Sequence, residues 1–214
     1  MILDIHTHKC APQPNAIVSL RTGEEAFTAE LLPEQCYSVG VHPWDLADCD
    51  DSKWKDVCAL ARLPQVVAIG ECGVDLPRGG MMFRQLQVFR KHVELSEELH
   101  KPLIIHDVKG DDIICGLRRD LRPSQAWAVH GFRGKPAAAE AFVRAGCYLS
   151  FGQKFNAETL RAVPADRILA ETDESPLPIE DIISILSEAR GEDLTPIIKA
   201  NSEKFCNFES RENF

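Results

Sequence analysis

Eight short apolar runs punctuate this 214-residue chain: "ILDIH", "NAIVSL", "CYSVG", "VVAIG", "PLIIH", "AWAVH", "CYLSFG" and "RILAE". Most are continuous rather than alternating in polarity, the pattern of parallel strands buried on both faces. Helical patterns separate the later runs. "DDSKWKDVCALARL" offers Asp51 or Ser52 as a cap ahead of an apolar stripe. "MMFRQLQVFRKHVELSEELH" spaces Met82, Leu86, Phe89 and Val93 as a core-facing stripe, which leaves His92 and His100 to the surface. "GKPAAAEAFVRAG" has Pro136 near its start and Gly146 at its end, and the tail segments "IEDIISILSEAR" and "DLTPIIKANSEKF" read as two more helices. Strand then helix, repeated around eight strands, predicts a TIM-type (β/α)8 barrel formed by one domain over residues 1–214. Only Lys9 to Pro14 separate the first two runs, too few for a helix, so the early crossovers are expected to be shortened.

The polar residues at the ends of these runs are unusual. His6 and His8 follow the first, Glu71 the fourth, His106 and His130 end the fifth and sixth, and Asp173 follows the eighth. Positions six and eight project to the same side of a strand. In a barrel all carboxyl ends of the strands lie on one rim, where active sites of this architecture are built. One histidine at a strand end is an ordinary polar cap. Four imidazoles and two carboxylates converging on one rim are a ligand set for one or two divalent cations.

Composition sets the remaining bounds. A hydrophobic fraction of 44% is enough for a sizeable core. The net charge of −9 argues against broad grip on a nucleic-acid duplex, although it leaves room for a nucleic acid held locally by metal ions. Eight scattered cysteines without a C-x-x-C pair read as reduced thiols. No run is long enough to span a membrane, and the first ten residues do not resemble a signal peptide, so a cytoplasmic protein is expected.

Taken together, these segments resemble the TatD-type metal-dependent hydrolases of the amidohydrolase-like barrel class. "DIHTH" is similar to the family's opening His-x-His, "VGVHPW" to its Gly-x-His-Pro turn, and "IGECGVDL" to its Ile-Gly-Glu-x-Gly-Leu-Asp segment. "FRKHVELSEELHKPLIIH" resembles the helix leading into the next ligand histidine. "HGFRG" resembles His-Cys-Phe-Ser-Gly, "YLSFG" resembles Tyr-Ile-Ser-Phe, and "ILAETDESPL" resembles Leu-Leu-x-Glu-Thr-Asp-x-Pro. The resemblance implies that His6, His8 and Asp173 hold one metal, His106 and His130 a second, and that Glu71 bridges them. Two cations ~3.5–4 Å apart, as Zn²⁺, Mn²⁺ or Mg²⁺, would serve phosphodiester hydrolysis, most readily on ends of single-stranded DNA or on a small phosphoester. Asp173 is the natural proton acceptor, with Glu71 ionised between the metals. His42 is expected to touch the substrate or a ligand, or else to serve as a turn residue before Pro43, while Asp75 orients a ligand.

The match thins in the loops. Residues 9–41, only 33 in number, separate His8 from His42, and "HDVKGDD" lacks the arginine that often follows the fifth-strand histidine. "SPLP" replaces the usual Pro-Tyr after Asp173. Lys9, Lys109, Arg133 and Lys154 are the candidate anion contacts. Two further functions remain open: hydrolysis of a small ester, lactone or amide at the same metals, and non-catalytic metal binding.

Overall fold

The structure is a computed structural model that describes residues 2–21 and 31–207. Eight parallel strands close into a barrel in chain order, β1 pairing with both β2 and β8. They are β1 (Asp4–Thr7), β2 (Ala16–Arg21), β3 (Cys36–Gly40), β4 (Val66–Asp75), β5 (Leu103–Val108), β6 (Trp127–Val129), β7 (Tyr148–Phe151) and β8 (Ile168–Ala170). Each coincides with one of the eight apolar runs. Burial on both faces explains the continuous runs: all ten residues of β4 are buried.

From β3 onward each crossover carries a helix: α1 (Asp51–Leu60), α2 (Met82–Leu99), α3 (Asp111–Leu121), α4 (Pro136–Arg144) and α5 (Ala157–Ala162). Helices α6 (Ile179–Arg190) and α7 (Thr195–Cys206) follow β8. As expected, no helix intervenes between β1 and β2. The β2–β3 connection falls partly outside the described residues. Asn201 of α7 donates to the carbonyls of Ala165 and Ile168, tying the last helix beneath β8. No described helix is long and apolar enough to cross a membrane, and all eight cysteines are free.

Two local expectations need correction. The cap of α1 is Asp50, whose side chain accepts from Ser52 N and Lys53 N, one residue ahead of the expected Asp51. On α2 the buried face contains Gln85, Val88, Phe89, His92, Val93 and Ser96, while Met82 is 51% exposed. His92 is therefore a core residue, not a surface one; His100, by contrast, is exposed at the left-handed end of the helix. The His92 ring is fixed at both nitrogens: Val41 N–H donates to Nε2 at 3.0 Å, and Nδ1 donates to the Val88 carbonyl at 2.8 Å. This ring satisfies the last backbone donor after β3, a need that helix periodicity does not reveal.

Burial lowers the His92 pKa to about 4, so the folded protein holds this ring neutral. An unfolded chain takes up the proton near pH 6.5, and unfolding is favoured as pH falls from there toward 4, by up to about 3 kcal/mol from this ring. Urea denaturation of wild type and His92→Gln at several pH values checks this. The variant is expected to be less stable at pH 7.5, with the gap narrowing steadily between pH 6.5 and 4.

Strand β4 presses against β5 where the site begins. Gly70 and Gly73 have φ values of 138° and 147°. A Cβ on Gly70 would run into the Ile104 carbonyl oxygen, and one on Gly73 into the His106 carbonyl oxygen. Only glycine allows β4 to carry Glu71 this close to its neighbour.

Candidate metal centre

Glu71 is the hub of the rim. Its Oε1 lies 2.8 Å from His106 Nδ1, 2.8 Å from His130 Nε2 and 3.1 Å from His42 Nε2. Its Oε2 lies 3.5 Å from His6 Nε2 and 3.4 Å from His8 Nε2. Asp173 completes the second face, with Oδ1 at 3.9 Å from His6 Nε2 and 3.8 Å from His8 Nε2. The fold thus brings together all six residues singled out in the sequence as ligands. Potential ligand atoms lie mutually within 4.8 Å in three groups: His6, His8 and Glu71; His6, His130 and Asp173; His42, Glu71 and His106.

The strand ends are locked by a second set of bonds. Asp4 Oδ1 accepts from His6 N at 3.2 Å and Thr172 N at 3.0 Å, and Oδ2 accepts from Thr172 Oγ1 at 2.6 Å. Asp173 N donates to the His6 carbonyl, and His8 N to the Asp173 carbonyl. Asp173 itself has φ 52°, a left-handed conformation that costs a non-glycine residue about 1 kcal/mol or more. These bonds to β1 hold it there. Asp75 Oδ2 faces His106 Nε2 at 3.1 Å and accepts from Trp44 Nε1 at 2.7 Å, which fixes the His106 ring from behind.

Burial alone would push the Glu71 carboxyl pKa up. The His130 charge and hydrogen bonds from His106, His130 and His42 outweigh it, holding Glu71 well below the usual carboxylate range. His6 is lowered to about 4, chiefly by burial and then by repulsion from His130. Neither nitrogen of its fully buried ring has a hydrogen-bond partner within the protein. A neutral, desolvated imidazole with an unclaimed nitrogen aimed at two carboxylates is what a divalent cation requires, so the donor set fits a metal.

His42 both caps a turn and stands beside Glu71. Its Nδ1 accepts from Trp44 N to cap the short turn Pro43–Asp45, and its Nε2 points at Glu71. Arg133 is exposed and borders two depressions that flank Asp173, one of about 460 Å³ shared with His106, His130 and Trp44, the other of about 230 Å³ shared with Lys154. Lys109 lines the larger depression; Lys9 instead donates to the Leu177 carbonyl at 2.6 Å. Sequence reasoning missed Glu171, fully buried, whose Oε1 accepts from Gly131 N at 2.6 Å and lies 3.5 Å from His130 Nδ1. Its place just after the eighth apolar run, two residues before Asp173 in "ETD", was the available signal.

The family model described as TatD related DNase matches residues 17–208, so the chain belongs to the TatD family. His6 and His8 lie just ahead of the matched stretch. The chain is 30% identical over 149 residues to the uncharacterized metal-dependent hydrolase YabD of Bacillus subtilis, covering 64% of this chain and 57% of that protein. It is 33% identical over 167 residues to the 3'-5' ssDNA/RNA exonuclease TatD of Cronobacter sakazakii, covering 72% of this chain and 63% of that protein. The matched stretch thus spans about three fifths of the length of these two relatives. Among solved structures, YJJV, a TatD homologue from Escherichia coli, superposes with a TM-score of 0.82 at 21% identity, over 96% of this chain and 98% of that one. A TatD family hydrolase from Entamoeba histolytica gives 0.74 at 18% identity, over 89% and 83%. Both likenesses concern the barrel fold.

Proposed function

We propose that this chain, as one domain over residues 1–214, is a metal-dependent hydrolase with a dinuclear site that cleaves phosphodiesters at the ends of single-stranded DNA. One observation carries the reading: each oxygen of the Glu71 carboxylate faces its own set of imidazoles, His42, His106 and His130 on one side and His6 and His8 on the other. A carboxylate so placed could serve two cations at once. His6, His8 and Asp173 would hold one, His106 and His130 the other. Divalent cations there, as Zn²⁺, Mn²⁺ or Mg²⁺, supply a Lewis acid for a phosphoryl oxygen and a water acidic enough to attack at neutral pH.

The chain's own residues do the rest. Asp173, half-buried at the mouth, accepts the proton of the attacking water as that oxygen bonds to phosphorus, and returns it to the sugar oxygen as the old phosphorus–oxygen bond breaks. Glu71 stays ionised throughout because five imidazoles surround it. Asp75 keeps the Nδ1 of His106 aimed inward by holding its other nitrogen. Arg133, open to both depressions beside Asp173, supplies positive charge to the phosphate being cleaved. His42 adds a further donor on the Glu71 Oε1 side. The exonuclease name of relatives such as that of Cronobacter sakazakii supports the substrate class, and eight free cysteines support a reducing, cytoplasmic setting.

An end-labelled single-stranded oligonucleotide tests the reading. With Mn²⁺ or Mg²⁺ the wild type should shorten it to a ladder that chelator abolishes, and Asp173→Asn should slow the ladder by about 100-fold or more. An intact oligonucleotide alongside turnover of a small ester would move the substrate away from DNA.

A further inference from the structure

Exposed apolar side chains are spread unevenly over the described residues. Of nine large ones, five (Trp44, Leu76, Met81, Met82 and Phe83) sit on the β3–α1 and β4–α2 connections and the first turn of α2. Met81 and Phe83 are 79% and 77% exposed. Both connections leave the carboxyl ends of their strands, on the rim that carries the metal centre. The link is direct: Trp44 Nε1 donates to the same Asp75 oxygen that meets His106.

Arginines gather on the same sector. The Arg78 guanidinium stacks 3.4 Å above the centroid of the Trp44 ring, and Arg21 stands 5.3 Å from it. Arg21 is paired with Asp45. Among the described residues Arg78 has no such carboxylate partner; its guanidinium contact is the Trp44 face. Arg84 lines the same shallow depression with Trp44, Arg78 and Met81. In a chain of net charge −9, this is a strip of aromatic, thioether and guanidinium surface leading away from the metal centre.

We infer that this strip is the track for the uncleaved nucleotides of a single-stranded polynucleotide. Phe83 and Met81 offer faces for bases, and the Trp44–Arg78 stack offers a flat cation to the intervening phosphate. Alternation of apolar faces with guanidinium charge matches alternation of bases with phosphates. A purely apolar partner would leave the Arg78 charge without a complement. A duplex would keep its base faces hidden within the stack, so the track selects single strands. The inference rests on the proposed nuclease function for its substrate class, yet binding can be measured apart from cleavage.

Fluorescence anisotropy of a labelled deoxythymidine decamer, with phosphorothioate linkages to resist hydrolysis, measures it on the metal-loaded full chain. Phe83→Ser is expected to weaken Kd by about tenfold or more, the scale of a lost base stack. Arg78→Gln should weaken it and flatten its salt dependence. Ile185→Ser, which removes an exposed apolar side chain on α6, should bind as wild type does, and an abasic decamer should bind wild type as poorly as the intact one binds Phe83→Ser. Melting temperatures check that each variant is folded. Wild-type affinity in both Phe83→Ser and Arg78→Gln overturns the inference, as does wild type that ignores the decamer or treats the abasic one equally. A wild-type dimer that Phe83→Ser dissociates at unchanged decamer affinity would make the patch a self-interface and also overturn it. A natural-linkage decamer that binds through Phe83 but is never cleaved would end the nuclease reading alone; one cleaved with indifference to Phe83 would end only the track.

Discussion

Glu71→Gln is expected to abolish metal-dependent hydrolysis, lowering kcat by about 1,000-fold or more at any metal concentration that leaves the wild type saturated. The substitution keeps the shape of the side chain and removes its charge. In the wild type Oε1 accepts from His106 and His130, and five imidazole nitrogens lie within 3.5 Å of the two carboxylate oxygens. An amide turns one of those oxygens into a donor, so it cannot be shared between two cations. It also removes the negative charge that, together with Glu171, outweighs burial and raises the His130 pKa well above the ordinary histidine range. The fold should survive, since the barrel's strand pairing does not use this side chain. Steady-state kinetics and circular dichroism of the two proteins give the comparison; full activity in Glu71→Gln would remove the hub from the account.

Gly73→Ala should produce the largest loss of stability of any single methyl group added to the barrel. Its φ of 147° lies where residues other than glycine are essentially not found, and the new Cβ would meet the His106 carbonyl. Relief requires β4 to retreat from β5, which breaks the register that pairs Gly73 with His106. A cost of about 4 kcal/mol or more is expected, lowering Tm by roughly 10 °C in a chain of this size. Gly80→Ala is the control. It has φ 71° but nothing within 4 Å of where the new methyl group would sit, so its cost should stay near 1 kcal/mol. Thermal melts of the two variants should differ clearly, and equal melts would mean that close strand approach is not what these glycines secure.

Much of this architecture was legible in residue order. The eight apolar runs became the eight strands because parallel strands in a closed barrel are buried on both faces, and no other element needs such short, continuous runs. The six candidate ligand residues could be gathered from the sequence because the barrel places every strand's carboxyl end on one rim, so position along the chain becomes position in space. What stayed hidden depends on contacts between distant segments. His92 looked like a surface residue on a helix whose stripe was counted from Met82, yet its ring caps a backbone donor 51 residues away. Glu171 gave no sign of reaching Gly131, 40 residues away. Met82 read as the start of a core stripe, whereas Met81, Met82 and Phe83 are all exposed where the connection from β4 enters α2.

The most direct measurement is the metal content of the purified full chain, taken by elemental mass spectrometry after equilibration with Zn²⁺, Mn²⁺ or Mg²⁺ and dialysis. About two divalent ions per wild-type chain are expected with at least one of these metals, and a reduced count in Glu71→Gln. A folded wild-type chain that retains none of the three would mean that this rim holds no metal centre.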